Sequence, residues 1–169
     1  PNIEALISGH TATRPGPDID YTLRAFPNHH RALMAMMRLG ELEKTPKPSG
    51  SRYTVECWFE RAILFRPNDT TVRMIFSSYL RKNKHVPEAV AQLEQATAIA
   101  GENAFTHYNS GLAYFDMKRY DKALARAHRA MELGFERTEL RDLLQKAGHW
   151  QEPKIPAADT PAAAPKPEQ

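Results

Sequence analysis

Cysteine is nearly absent. Cys57 is the only one among 169 residues, so no intramolecular disulfide can form, and a disulfide-stapled secreted scaffold is excluded. Packing alone must hold the fold. Long apolar runs are missing too: nothing approaches the roughly 18 consecutive apolar residues of a membrane helix. Clean alternation of apolar and polar residues, the mark of a half-buried strand, is also lacking. The chain has no Gly-rich phosphate loop, no Gly-x-Ser-x-Gly, no His-Glu-x-x-His and no Cys-x-x-Cys-His. The expectation is a protein that is not an enzyme and takes no cofactor. Charge of one sign is not in excess: 23 Lys and Arg stand against 20 Asp and Glu, for a net +3. Acids and bases interleave instead of forming a dense basic stripe, so no nucleic-acid partner is expected.

The residues that could carry chemistry are scattered. His29 and His30 are adjacent, so on a helix they point about 100° apart and do not face one ion together. His10, His85, His107, His128 and His149 lie far from one another in sequence. No metal site is expected. Cys57, beside Trp58, reads as an inert core residue. Met34, Met36 and Met37 read mainly as core at helical spacing; Met37 shares a helix face with Leu33, which favours core for those two, while Met34 is the better candidate for exposure.

What is present points to helices. Hydrophobic residues make up 41% and charged residues 25%, which fits one soluble globular domain. Residues 1–17 contain Gly9, Pro15, Gly16 and Pro17 and read as an irregular lead-in with a short helical turn at 3–8. Asp18 is placed to cap a helix through 26. Further helices are predicted at 29–42, 53–65, 70–82, 87–100, 104–117, 120–133 and 137–148. Residues 44–52 form a Pro/Gly loop. The folded domain spans 18–150. Residues 151–169, rich in Pro and Ala, cannot bury enough surface to offset their ordering entropy and read as a disordered tail. The chain begins at Pro1, not Met, which suggests a processed or trimmed form. With the Pro/Ala/Lys-rich end it looks similar to bacterial envelope proteins. The expected compartment is therefore the periplasm or cell envelope, with the cytoplasm as the alternative.

The helices pair with a period. Pro67, Gly101 and Phe135 follow one another at 34 residues, and Pro27 precedes Pro67 by 40. The loop at 44–52 supplies the six additional residues. The unit starting at Ala104 carries Gly111, Tyr114, Tyr120, Ala123, Ala127 and Ala130. The unit starting at Thr70 carries Ser77, Leu80, Val86, Ala89, Leu93 and Ala96 at the same offsets. Phe59 and Ala62 match Leu93 and Ala96.

This pattern resembles the tetratricopeptide-repeat family, whose unit is about 34 residues. His107 stands where that family usually has Trp, and Ala127 where it often has a larger residue. The resemblance implies an all-α helical-hairpin solenoid of about three repeats, with units at 18–66, 70–101 and 104–135 and a capping helix at 136–148. Gly111 and Ala123 would mark the close crossing of paired helices. In the cap, Leu140, Leu143 and Leu144 form the apolar stripe, with Glu139, Arg141, Asp142, Gln145 and Lys146 outside and Trp150 over the end.

The resemblance also implies a binding groove lined by the first helix of each pair. The corresponding residues are Phe105, Tyr108, Asn109, Leu112, Phe115 and Asp116 in one unit and Thr71, Met74, Ile75, Ser78, Arg81 and Lys82 in another. In the incomplete first unit they are Arg31, Met34, Ala35 and Arg38. Such a surface suits an extended or helical segment of another protein with apolar anchors and some acidic character. Of the carboxylate clamp found in chaperone-binding relatives only Asn109 matches, because Ile75 and Phe105 stand where polar groups are required. No recognition of a free C-terminus is expected. The expected function is an interaction scaffold or assembly factor. The alternative is a structural subunit that self-associates as a homo-oligomer, reaching a neighbouring copy through the loop and tail.

Overall fold

A computed structural model describes residues 14–153. Among them are eight helices and no strand. They are α1 (Gly16–Ala25), α2 (His30–Glu43), α3 (Val55–Phe65), α4 (Thr70–Lys82), α5 (Val86–Ala100), α6 (Ala104–Asp116), α7 (Tyr120–Glu132) and α8 (Glu139–Lys146). The helical turn expected at 3–8 and the tail beyond 153 lie outside the described residues. The architecture is all-α, with helices packed as antiparallel pairs; α4 with α5 and α6 with α7 pack most extensively. No described helix is long and apolar enough to cross a membrane.

The same devices recur at the helix ends. His29, Asp69 and Asn103 precede α2, α4 and α6, and each side chain accepts the backbone N–H three residues on, at 3.2, 3.0 and 2.9 Å. Each such bond satisfies a donor the helix leaves open. These caps are spaced 40 and then 34 residues apart. The turns inside the pairs repeat likewise: Lys44, Lys84 and Lys118 adopt left-handed backbone, with φ of 53°, 67° and 57°. Behind each, an N–H reaches back to an orphan carbonyl: Thr45 to Gly40, His85 to Leu80 and Arg119 to Tyr114, at 3.0, 2.9 and 2.9 Å. The turns leaving α1 and α3 match, through Phe26 and Arg66 at φ of −133° and −137°, whereas α5 leaves through Gly101 at φ 56°; all three close with one bond, His29, Asp69 and Asn103 donating to Phe26, Arg66 and Ala100 at 3.1, 3.1 and 3.0 Å.

Two clusters form the core. One joins α1 to α4 and includes Ile19, Leu23, Met36, Trp58, Phe59 and Val72. The other joins Leu93 of α5 to α6, α7 and α8 through Tyr108, Tyr114, Ala123, Leu140 and Leu144. Leu140 and Leu144 are fully buried, and burial of each stabilises the cap by about 2 kcal/mol. Gly111 explains how closely the last helices pack. A Cβ there would lie 2.4 Å from Leu140 Cδ2 and 3.3 Å from Arg126 Cβ. At the same offset in the preceding unit Ser77 Oγ donates to the Ala89 carbonyl at 2.8 Å.

Several boundaries differ from those the sequence predicts. α1 begins at Gly16, with Asp18 inside its first turn, because Pro17 suits a first-turn position. α3 begins at Val55, not at 53, because Thr54 Oγ1 accepts the Cys57 N–H and caps the helix there. The inward face of α3 is Val55, Trp58, Phe59 and Ala62, which leaves Cys57 half-buried instead of in the core. α8 begins at Glu139, two residues later than predicted.

The inserted loop is anchored at several points. Asp20, only 4% exposed, accepts the Arg52 N–H at 2.7 Å and pairs with Arg24 at 2.9 Å. Trp58 donates its indole N–H to Ser51 Oγ at 2.9 Å, and Ser51 donates to the Tyr53 carbonyl at 2.7 Å. Ser49 N–H donates to Glu43 at 2.6 Å. The insertion thus packs over the start of α1.

Candidate partner-binding face

α2 touches α4, α4 touches α6 and α6 touches α8. Two links fix the register of α2 against α4. At their starts His30 Nε2 meets Asp69 at 2.8 Å; at their ends Lys82 meets Glu41 at 2.7 Å. The two helices therefore run parallel. Arg81 meets Asp116 at 3.6 Å across the next seam. Counted from the capping residues His29, Asp69 and Asn103, both seam pairs join the twelfth place of one helix to the thirteenth of the next. The cations Arg81 and Lys82 also sit in the last turn of α4, where the helix dipole favours them.

The predicted binding residues fall on these three helices with unequal access. Arg31, Arg38, Lys82 and Asp116 are exposed; Met34, Met74, Ser78, Arg81, Asn109, Leu112 and Phe115 are half-buried. Thr71 and Ile75 are half-buried as well, while Ala35 lies in the core. Phe105 is 58% exposed, and its ring meets Phe135 edge-on. Tyr108 is the exception, at 2% exposed. Its ring packs on Phe135, 4.7 Å between centroids, and its hydroxyl donates to Glu139 at 3.3 Å. Burial and the Glu139 carboxylate both push its phenol above the usual value. Tyr108 is thus covered where the sequence expects a partner, because the segment leading into α8 packs against it. Leu112 and Phe115 contact the second core cluster, and Phe115 packs its ring on Tyr120. Asn109 donates to the Phe105 carbonyl.

The histidines take local partners. His29 is a cap, and His30 bonds Asp69. His107 is buried, with Nε2 2.9 Å from the Gly101 carbonyl and Nδ1 3.5 Å from Arg126. The ring thus bridges the turn after α5 and Arg126 of α7. His128 Nε2 lies 2.8 Å from the Gln151 carbonyl, and His149 stacks on Tyr120. Trp150 lies near His128 and under Arg141. The chain after α8 is therefore held against α7, and Trp150 lies beside Arg141 near the start of α8.

Burial pushes the Asp69 carboxyl up, but the bonds from His30, the Val72 amide and Asn28 outweigh it. The carboxyl is held below its ordinary 3.8. The binding pattern read from the sequence does not include Arg73, which lies at the base of α4. It is buried and donates twice to the Pro67 carbonyl, at 3.1 and 2.9 Å, and also to Gln92 and Gln95 of α5. It ties the turn before α4 to the helix that follows. Its position on the core face of α4 beside Val72 and Phe76 is the one available signal, and an arginine there usually reads as solvated.

No protein-family model matches the chain, and no curated protein matches it. The chain thus stands as an all-helical protein of hairpin pairs.

Proposed function

We propose that this chain is a tetratricopeptide-type protein, and that the face built by α2, α4 and α6 holds a segment of another protein. The observation that carries this reading is the common register of those helices. Equivalent places line up across them, and several hold half-buried or exposed apolar groups, Phe105, Leu112, Phe115, Met34 and Met74. Rigid helices bearing such groups suit groove recognition of a peptide or helix. The role is binding, as a scaffold or assembly factor.

The self-assembly alternative is the weaker reading. Its support included an inserted loop free to reach a neighbouring copy, and that loop is bonded to α1 of its own chain.

The deciding experiment is tagged purification from the native host, with Phe105→Ser plus Leu112→Ser as the control. One dominant co-purifying protein, lost in the double variant while the helical spectrum persists, supports the reading. A partner retained unchanged by the double variant overturns the assignment to this face. Recovery of the protein alone, with a mass above the monomer by light scattering, moves self-assembly ahead.

A further inference from the structure

The α2–α4–α6 face is graded across its width. The second place from the capping residue reads Arg31, Thr71, Phe105, and the ninth reads Arg38, Ser78, Leu112. Both rows pass from a guanidinium on α2, through a hydroxyl on α4, to an apolar side chain on α6. The acids of the face are already engaged: Glu41 pairs with Lys82, and Asp116 with Arg81. Arg38 is exposed, so its guanidinium is open to a ligand. The α2 side therefore favours anionic groups, and the α6 side favours desolvation of apolar ones.

We infer that the partner segment crosses the helices with its carboxylates on α2 and its aliphatic or aromatic anchor on α6. This inference rests on the groove reading above and adds the polarity and spacing of the ligand. Packed helix axes lie 8–10 Å apart, so α2 and α6 are separated by about 18 Å. An extended chain covers about 3.3 Å per residue, so the acids precede or follow the anchor by about five or six residues. A carboxylate placed beside the anchor would meet Phe105 and Leu112 and lose its pairing. Arginine suits this role because its planar fork meets both carboxylate oxygens.

The test uses fluorescein-labelled synthetic peptides and anisotropy. The first carries Asp-Asp-Glu, a five-residue Gly/Ser spacer and Leu-Phe-Leu. The second replaces the acids by Lys. The third removes the spacer. The first is expected to bind at least ten-fold more tightly than either other, and to weaken as salt rises. Arg38→Glu is expected to weaken the first at least ten-fold and to improve the Lys peptide, without changing the melting temperature. Phe105→Ser, at a largely exposed position, weakens both. Equal affinity for the acid and Lys peptides, or an Arg38→Glu variant that leaves their ratio unchanged, overturns the polarity; if Phe105→Ser still weakens both, the groove reading survives. Absence of binding by every peptide overturns the inference, and the co-purification experiment then judges the groove separately.

Discussion

Gly16→Ala is the sharpest test of how the insertion is held. Gly16 opens α1, and a Cβ built on it would lie 1.9 Å from the Ser49 backbone carbonyl oxygen and 3.1 Å from its carbon. Two effects oppose one another. Alanine is the better helix former, by at most about 1 kcal/mol and less at a helix start. Against this, the carbonyl must retreat by more than 1 Å to reach ordinary contact, and it belongs to a backbone fixed on both sides. Retreat strains the Ser49–Glu43 and Arg52–Asp20 bonds, each contributing about 1–1.5 kcal/mol, with more lost if Asp20 is left buried without its partner. The net expectation is a loss of about 2–3 kcal/mol, which for a domain of this size lowers the melting temperature by roughly 6–10 °C. Thermal unfolding followed by circular dichroism reads the change. Gly134→Ala is the control: its φ of +79° carries strain, but no atom lies within 4 Å of a new Cβ, so only about 1 kcal/mol is expected. If Gly16→Ala melts at or above the wild-type temperature, the insertion does not press on α1 as described.

Three further outcomes are expected. Asp69 is more acidic folded than its ordinary 3.8; the stabilisation this gives is present above the unfolded value and is lost as pH falls through the lower folded value. The melting temperature of the wild type should therefore fall more steeply than that of Asp69→Asn between pH 4 and about pH 2, and parallel curves would refute the reasoning. Lys84→Gly should raise stability by up to about 1 kcal/mol, because glycine takes the left-handed conformation without penalty; urea midpoints would show it, and Lys118→Gly should add independently. Arg73→Leu should cost about 1–3 kcal/mol by removing a buried arginine's bonds to the Pro67 carbonyl and to Gln92 and Gln95 of α5, and a urea midpoint within error of wild type would contradict its role as a clamp.

Much of the fold was legible because its punctuation is local. Pro67, Gly101 and the caps Asp69 and Asn103 act within a few residues of themselves, so their 34-residue spacing is visible without any tertiary information. α4 is predicted residue for residue, and the six-residue insertion is correctly placed as a loop. What the sequence hides are contacts between distant segments. Asp20 has no local feature that marks it, and only the approach of Arg52, 32 residues away, makes it a buried acceptor. Tyr108 holds a place that the family resemblance turns toward a partner. Phe135 and Glu139 close over it because the segment leading into α8 packs against α6. Cys57 reads as core from its apolar neighbours, but Trp58 and Phe59 take the inward face of α3 and leave it half-buried.

The seam pairs have a consequence for assembly of the chain itself. Similar helix pairs packed in series are prone to dock in the wrong order, since the helices of one pair offer apolar surface much like those of another. Here the twelfth place carries an acid on α2 and a base on α4, and the thirteenth carries a base on α4 and an acid on α6. If α6 docked directly on α2, Glu41 would face Asp116. A second copy of α4 docked on the first would bring Arg81 against Lys82. Each misplacement replaces an attraction of up to about 1 kcal/mol with a repulsion of similar size. The ladder of charges therefore works as an address, admitting the hairpins in one sequence and discouraging slipped or swapped arrangements as the chain folds.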